Sequence, residues 1–248
     1  GQHVFVTDVT AAYGQLNIQG PRSRELLQSL TTADMSNEAF PFRGVREIDI
    51  GLARVTCVRI TYLGELGYEL NIPAEQATHV FDLIAAKGRE FGLRFAGLKA
   101  LASLRMEKGY RDYGHDIDNT DDPYEVGLGF AVHLDKPGDF IGKQACVKKK
   151  SEAPYPKRLV QLLVKDPEPL MHHAEIVYRD GKAVGEVRSA SYGHTLGGAV
   201  GLAMVEGEAV NQAWLDAGRW EVDIAGKIYP AVVSFRPMYD PAMERVRA

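Results

Sequence analysis

The second half of the chain limits the possible folds most. From residue 158 to 234, short apolar or alternating runs follow one another at 158–164, 174–178, 183–191, 199–205, 221–224 and 227–234. Turn residues separate them. Arg179-Asp180-Gly181-Lys182 contains the Asp-Gly pair that suits a type I′ hairpin, and Ala225-Gly226 is a weaker hairpin signal. Short strands with frequent turns predict a barrel or jelly-roll-like module, because closure removes the unpaired edges that such strands would expose.

The first half has a different texture. Leu16-Asn17-Ile18-Gln19 alternates as a half-buried strand, and Gly20-Pro21 then opens a helix expected to run through Glu25, Leu26, Leu27 and Leu30. Strand patterns follow at 45–50 and 55–62, then a glycine-punctuated turn, Leu63-Gly64-Glu65-Leu66-Gly67. Tyr68, Leu70 and Ile72 form the apolar side of the returning strand. Pro73 opens a second helix carrying Val80, Phe81 and Ile84, and a third is expected over 98–108. This order lacks alternating parallel units and predicts an α+β sandwich, with one layer of helices on an antiparallel sheet. The charged, proline-bearing stretch 148–156 reads as a linker, giving expected domains of 1–150 and 157–248.

Composition narrows the function classes. The 248 residues are 45% hydrophobic and 25% charged with a net charge of −4, an ordinary globular profile that argues against a dedicated nucleic-acid surface. Cys57 and Cys146 are the two cysteines, with no CxxC pair, so neither a disulfide framework nor a thiolate zinc site is expected. No apolar stretch approaches the roughly 18 residues of a membrane span, and the first residues do not read as a secretory signal. The expectation is a reducing, soluble compartment.

Familiar catalytic signatures are missing. The glycine-rich segment 193–201 lacks GxGxxG spacing and reads as a β-turn with close backbone approach. Gly142-Lys143 is followed by Gln144, so it is not a P-loop. The acidic loop 115–122 fails the EF-hand pattern and reads as a solvated loop with a cap or turn. His172-His173 would point to opposite strand faces, which disfavours a metal site there. No GxSxG elbow or HExxH helix occurs.

Two positions keep chemical interest. The period of two along 68–72 puts Glu69 and Asn71 on the face opposite the apolar set, with Tyr62 able to approach across the turn. A carboxylate there is either simply solvated or able to accept two parallel hydrogen bonds from a planar heterocycle with adjacent N–H donors. On the third helix Leu98, Leu101, Ala102 and Arg105 fall on one stripe, so the guanidinium must be paired or snorkel outward. A structural ion pair and a contact to a ligand carboxylate are both open for Arg105.

Several segments together resemble the glycine-cleavage T protein family of folate-dependent aminomethyltransferases, and most of all the C-terminal folate region of dimethylglycine and sarcosine dehydrogenases. They are Leu16-Asn17-Ile18-Gln19-Gly20-Pro21-Arg22, Thr61-Tyr62-Leu63-Gly64-Glu65-Leu66-Gly67-Tyr68-Glu69-Leu70, Leu104-Arg105-Met106-Glu107-Lys108-Gly109-Tyr110-Arg111 and Phe140-Ile141-Gly142-Lys143. Asp166-Pro167-Glu168-Pro169-Leu170 and Tyr192-Gly193-His194-Thr195-Leu196-Gly197 continue the series in family order.

The resemblance implies a ferredoxin-like α/β sandwich followed by a C-terminal β-barrel, around a tetrahydrofolate site. It implies that Glu69 holds the pterin, that Tyr62 and Phe130 line its pocket, and that Arg105 is a folate-region or architectural arginine. It implies no metal. The T protein's Ala-Arg-Asp arginine aligns with Leu101, which cannot make that contact, so recognition of the folate tail stays unassigned. The family's catalytic aspartate belongs to a segment before Val9-Thr10, so no catalytic residue is expected in this chain, which reads as truncated at its N-terminus. FAD would sit in a separate amine oxidoreductase domain, with a small N-methyl amine as substrate and neither nucleic acid nor membrane as partner. The implied location is cytoplasmic, or the mitochondrial matrix in a eukaryote. A folate- or partner-docking fragment and a divergent aminomethyltransferase are the alternatives.

Overall fold

The computed structural model describes residues 3–248. The chain divides into two compact units, residues 1–97 with 242–248, and residues 98–241.

The first unit is a four-stranded antiparallel sheet with helices on one face. Strands β1 (Tyr13–Gln19), β2 (Val45–Ile50), β3 (Ala53–Val58) and β4 (Gly67–Pro73) lie in the order β1-β4-β3-β2. Because β4 is antiparallel to both neighbours, β1 and β3 run parallel with β4 between them. Helices α1 (Ser23–Gln28) and α2 (Ala77–Gly88) bring Leu26, Leu27, Val80 and Ile84 onto the sheet. Ile18, Ile48, Ile50, Val55, Cys57, Tyr68, Leu70 and Ile72 meet them from below, all buried. Burial pushes the Cys57 thiol up to about 12, which keeps it an uncharged core residue.

Two expectations in this unit are refined. Phe81 does not join the core; it is 40% exposed and stacks on Phe95 with ring centres 5.5 Å apart. The strand expected over 55–62 ends at Val58. There Arg59 turns inward, donating to the Phe40 carbonyl at 2.8 Å and to the Ala248 main-chain oxygen at 2.9 Å. At Gly67, where β4 begins, the Gln19 side chain occupies the space a Cβ would need, so a larger residue there would displace that amide.

The second unit opens with α3 (Leu98–Glu107) and α4 (Lys143–Ser151), followed by a closed six-stranded antiparallel barrel. Its strands are β5 (Lys157–Val164), β6 (Ile176–Arg179), β7 (Lys182–Gly193), β8 (Gly198–Glu206), β9 (Trp220–Ile224) and β10 (Lys227–Ser234), in the circular order β10-β5-β8-β7-β6-β9. A short helix, α5 (Gln212–Ala217), precedes β9, and the last helix, α6 (Glu244–Arg247), belongs to the first unit. Asp180 and Gly181 both have positive φ, as a type I′ turn needs, and Ala225 and Gly226 do the same.

Three loop expectations give way. Lys148 to Ser151 are the last turn of α4 rather than linker, and Lys149 lies 2.7 Å from Glu125 and 3.0 Å from Asp122. Basic residues in a last turn also suit the helix dipole. The loop 115–122 is not simply solvated: Asp116 is fully buried, and the Asp121 side chain is 1% exposed beside Lys157. His172 and His173 sit, exposed, in the loop before β6 and not on a strand.

Candidate functional site

The outer face of the first unit's sheet carries the side chains that the period of two predicts. Tyr13, Gln15, Asn17 and Gln19 alternate with the buried side of β1, while Glu69 and Asn71 do so on β4. The register sets Asn17 and Val58 on either side of Glu69, and Gln15 and Thr56 on either side of Asn71. Glu69 is half-buried and accepts a hydrogen bond from Gln15 Nε2 at Oε2, 3.1 Å away. Among the described residues it has no ion pair. The other charged strand residues of this face pair with one another, Arg54 lying 3.3 Å from Asp49 and 3.8 Å from Glu47.

The turn before β4 is held by the segment after β1. The Leu66 carbonyl accepts from Gly20 N at 2.8 Å and from Ser23 Oγ at 3.2 Å, and Gly64 has φ +83°. Leu63 N donates to Thr61 Oγ1 at 3.0 Å. The Gln19-Gly20-Pro21 and Gly64-to-Gly67 segments are therefore one interlocked structure, which fixes where Glu69 starts on its strand. Tyr62 is half-buried in the same β3–β4 connection.

The second unit shows a contrasting cluster at the end of α3. Arg105 is buried, paired with the fully buried Asp116, and donates to the Tyr110 carbonyl at 2.9 Å. Glu107, 1% exposed, accepts from the backbone N–H groups of Thr195 at 2.7 Å and Leu196 at 2.9 Å. It thereby caps the glycine-rich β7–β8 turn. Lys108 is paired with Asp240 at 2.8 Å, with side-chain exposures of 1% and 7%. Gln161 Nε2 donates to the carbonyls of Met106 and Glu107, and its Oε1 accepts from Met238 N. Arg105 thus stands as an ion pair, with its acid drawn from the 112–118 loop. Phe130 lies on a single 3-10 turn, Gly129–Ala131, and is 71% exposed.

Of the four residues singled out by sequence, Glu69 and Tyr62 belong to the first unit, and Arg105 and Phe130 to the second. Cavities of about 340 and 460 Å³ in the first unit are lined by other residues, from Ile18 to Arg94 and from Asn37 to Arg247 respectively. Sequence reasoning missed Gln15, Asp116, Glu107 and Gln161. Gln15 was readable in principle, since it shares the alternation that exposes Glu69. The other three depend on contacts between distant segments and carry no local signal. No helix among the described residues is long and apolar enough to cross a membrane.

Residues 1–136 match the GCVT N-terminal domain, and residues 157–240 match the glycine cleavage T-protein C-terminal barrel domain. The chain is 44% identical over 247 residues to 4-methylaminobutanoate oxidase (formaldehyde-forming) of Paenarthrobacter nicotinovorans, covering all of this chain and 29% of that protein. It is 35% identical to the mitochondrial dimethylglycine dehydrogenase of Mus musculus, covering 100% of this chain and 28% of that one. The chain therefore spans less than a third of the length of these relatives. In fold it resembles the glycine cleavage system aminomethyltransferase T from Bartonella henselae, with a TM-score of 0.75, 24% identity, and coverage of 90% of this chain and 58% of that one. A sandwich followed by a closed barrel, with both domain matches in order, shows that this chain belongs to the glycine-cleavage T-protein family.

Proposed function

We propose that this chain is the tetrahydrofolate-binding, one-carbon transfer region of a flavin-dependent enzyme that oxidises an N-methyl amine. The observation that carries the reading is Glu69, a half-buried carboxylate on an open polar sheet face that has, among the described residues, one neutral amide donor and no ion pair. A pterin ring presents an N–H and an exocyclic amine side by side, the same donor pair that makes guanidinium bind carboxylates bidentately. A carboxylate has about four acceptor sites, so the single bond from Gln15 leaves room for both donors. Tyr62, in the β3–β4 connection of the same unit, would line this site.

Tetrahydrofolate would supply the two nitrogen nucleophiles that take up the iminium carbon as 5,10-methylenetetrahydrofolate, the bond from that carbon to the substrate nitrogen breaking and the demethylated amine leaving. This chain's own contribution is binding and orientation. Holding the pterin at high effective concentration near a reactive iminium favours capture over hydrolysis, because a bimolecular encounter becomes an intramolecular one. No proton transfer is assigned to residues of this chain. The FAD-bearing part belongs to the remainder of a longer enzyme, a reading supported by the 28–29% coverage of the oxidase and dehydrogenase relatives. Those relatives' names also support an N-methyl amine substrate.

Anaerobic calorimetry with tetrahydrofolate tests the site. Saturable binding that Glu69→Gln weakens about tenfold or more is the expected result, since the substitution replaces an acceptor pair by one acceptor and one donor. Unchanged affinity in Glu69→Gln would overturn the assignment.

A further inference from the structure

We propose that Gln15 is the positioning residue for Glu69, holding its carboxylate in the orientation that receives the pterin; this rests on the reading of Glu69 given above. The register places Asn17, not Gln15, directly opposite Glu69. Gln15 is the diagonal neighbour, and a long side chain spans that separation where a short one falls short. Its Nε2 reaches Glu69 Oε2 at 3.1 Å. Gln19, the next amide along the strand, is packed over Gly67, where its Oε1 occupies the space a Cβ would need. Gln15 is therefore the outward amide of β1 that bonds the carboxylate.

The chemistry of the donor matters. A lysine or arginine at position 15 would neutralise Glu69 and compete with a ligand whose recognition depends on donating to it. A neutral amide orients the carboxylate while leaving its charge uncompensated. An unrestrained glutamate side chain has several rotamers to lose when a ligand binds, and an orienting bond removes part of that loss beforehand. Gln15 is itself exposed, so shortening or replacing its side chain leaves the core intact.

The test is a double-mutant cycle on the full chain, with tetrahydrofolate as the titrant under anaerobic conditions. Gln15→Met keeps length and removes the donor. It is expected to weaken binding threefold to tenfold, roughly the net value of one ordinary hydrogen bond, with the melting temperature unchanged. In the Glu69→Gln background the same change is expected to have no further effect, because the carboxylate it orients is gone. A merely structural role would weaken binding equally in both backgrounds, and that result overturns the proposal. Full affinity in Gln15→Met, alongside weakened binding in Glu69→Gln, overturns the role of Gln15 and leaves the folate assignment standing. An effect of neither substitution overturns the folate assignment itself.

Discussion

The outer sheet face of the first unit and the end of α3 in the second both carry polar and charged side chains, yet use them in opposite ways. Around Glu69 the neighbours are amides, hydroxyls and one valine, and among the described residues the carboxylate has no cation. At the end of α3, Arg105, Glu107 and Lys108 are buried, and each is paired with a group of its own unit. Buried charges survive only when paired, because desolvation costs several kcal/mol per ion. Groups that are satisfied internally hold the barrel and α3 in place. A half-exposed carboxylate left without a cation remains open to an incoming donor. Two motifs of the same family resemblance therefore divide into scaffold and candidate site on the basis of their partners, not their residue types.

Substitutions separate the two regions most sharply through stability. Arg105→Met removes the guanidinium hydrogen-bonded to the buried Asp116 and is expected to cost about 3–5 kcal/mol in urea unfolding. Adding Asp116→Asn should restore most of that loss, because the stranded charge disappears with its partner; a double variant no better than the single would show that the pair is not the source. Glu107→Ala is expected to cost about 2–3 kcal/mol, since the N–H groups of Thr195 and Leu196 lose their acceptor. Hydrogen exchange at those two amides should accelerate in that variant, and protection retained at wild-type levels would contradict the assigned cap. At the other extreme, Glu69→Gln should leave the unfolding free energy within about 0.5 kcal/mol of the parent while still lowering folate affinity. A large destabilisation there would place Glu69 in the scaffold class and erase the distinction.

Much of the fold was legible because it depends on local patterns. The six barrel strands were marked by alternation and turn residues, and the Asp180-Gly181 turn by the need for positive φ at both positions. The apolar side of β4 and the outward placement of Glu69 followed from the period of two. The errors have a common origin. Residues 148–151 looked like linker by composition, yet they complete α4, where Lys149 finds Asp122 and Glu125. The loop 115–122 looked solvated because it is acidic, yet Asp116 is buried against an arginine eleven residues earlier. Phe81 fits a helix stripe but ends up stacked on Phe95 at the surface.

The sequence by itself determined which faces of the strands and helices are apolar, where the turns fall, and that Glu69 points away from the core, because these follow from backbone geometry over a few residues. Only the tertiary structure decided which charged side chains are spent on one another and which remain available. That choice is made by the pairing of segments far apart in the chain: Gln15 with Glu69, Glu107 with the turn at 195–196, and Lys108 with Asp240. Desolvation and pairing energies depend on those meetings, and no local pattern of residues encodes them.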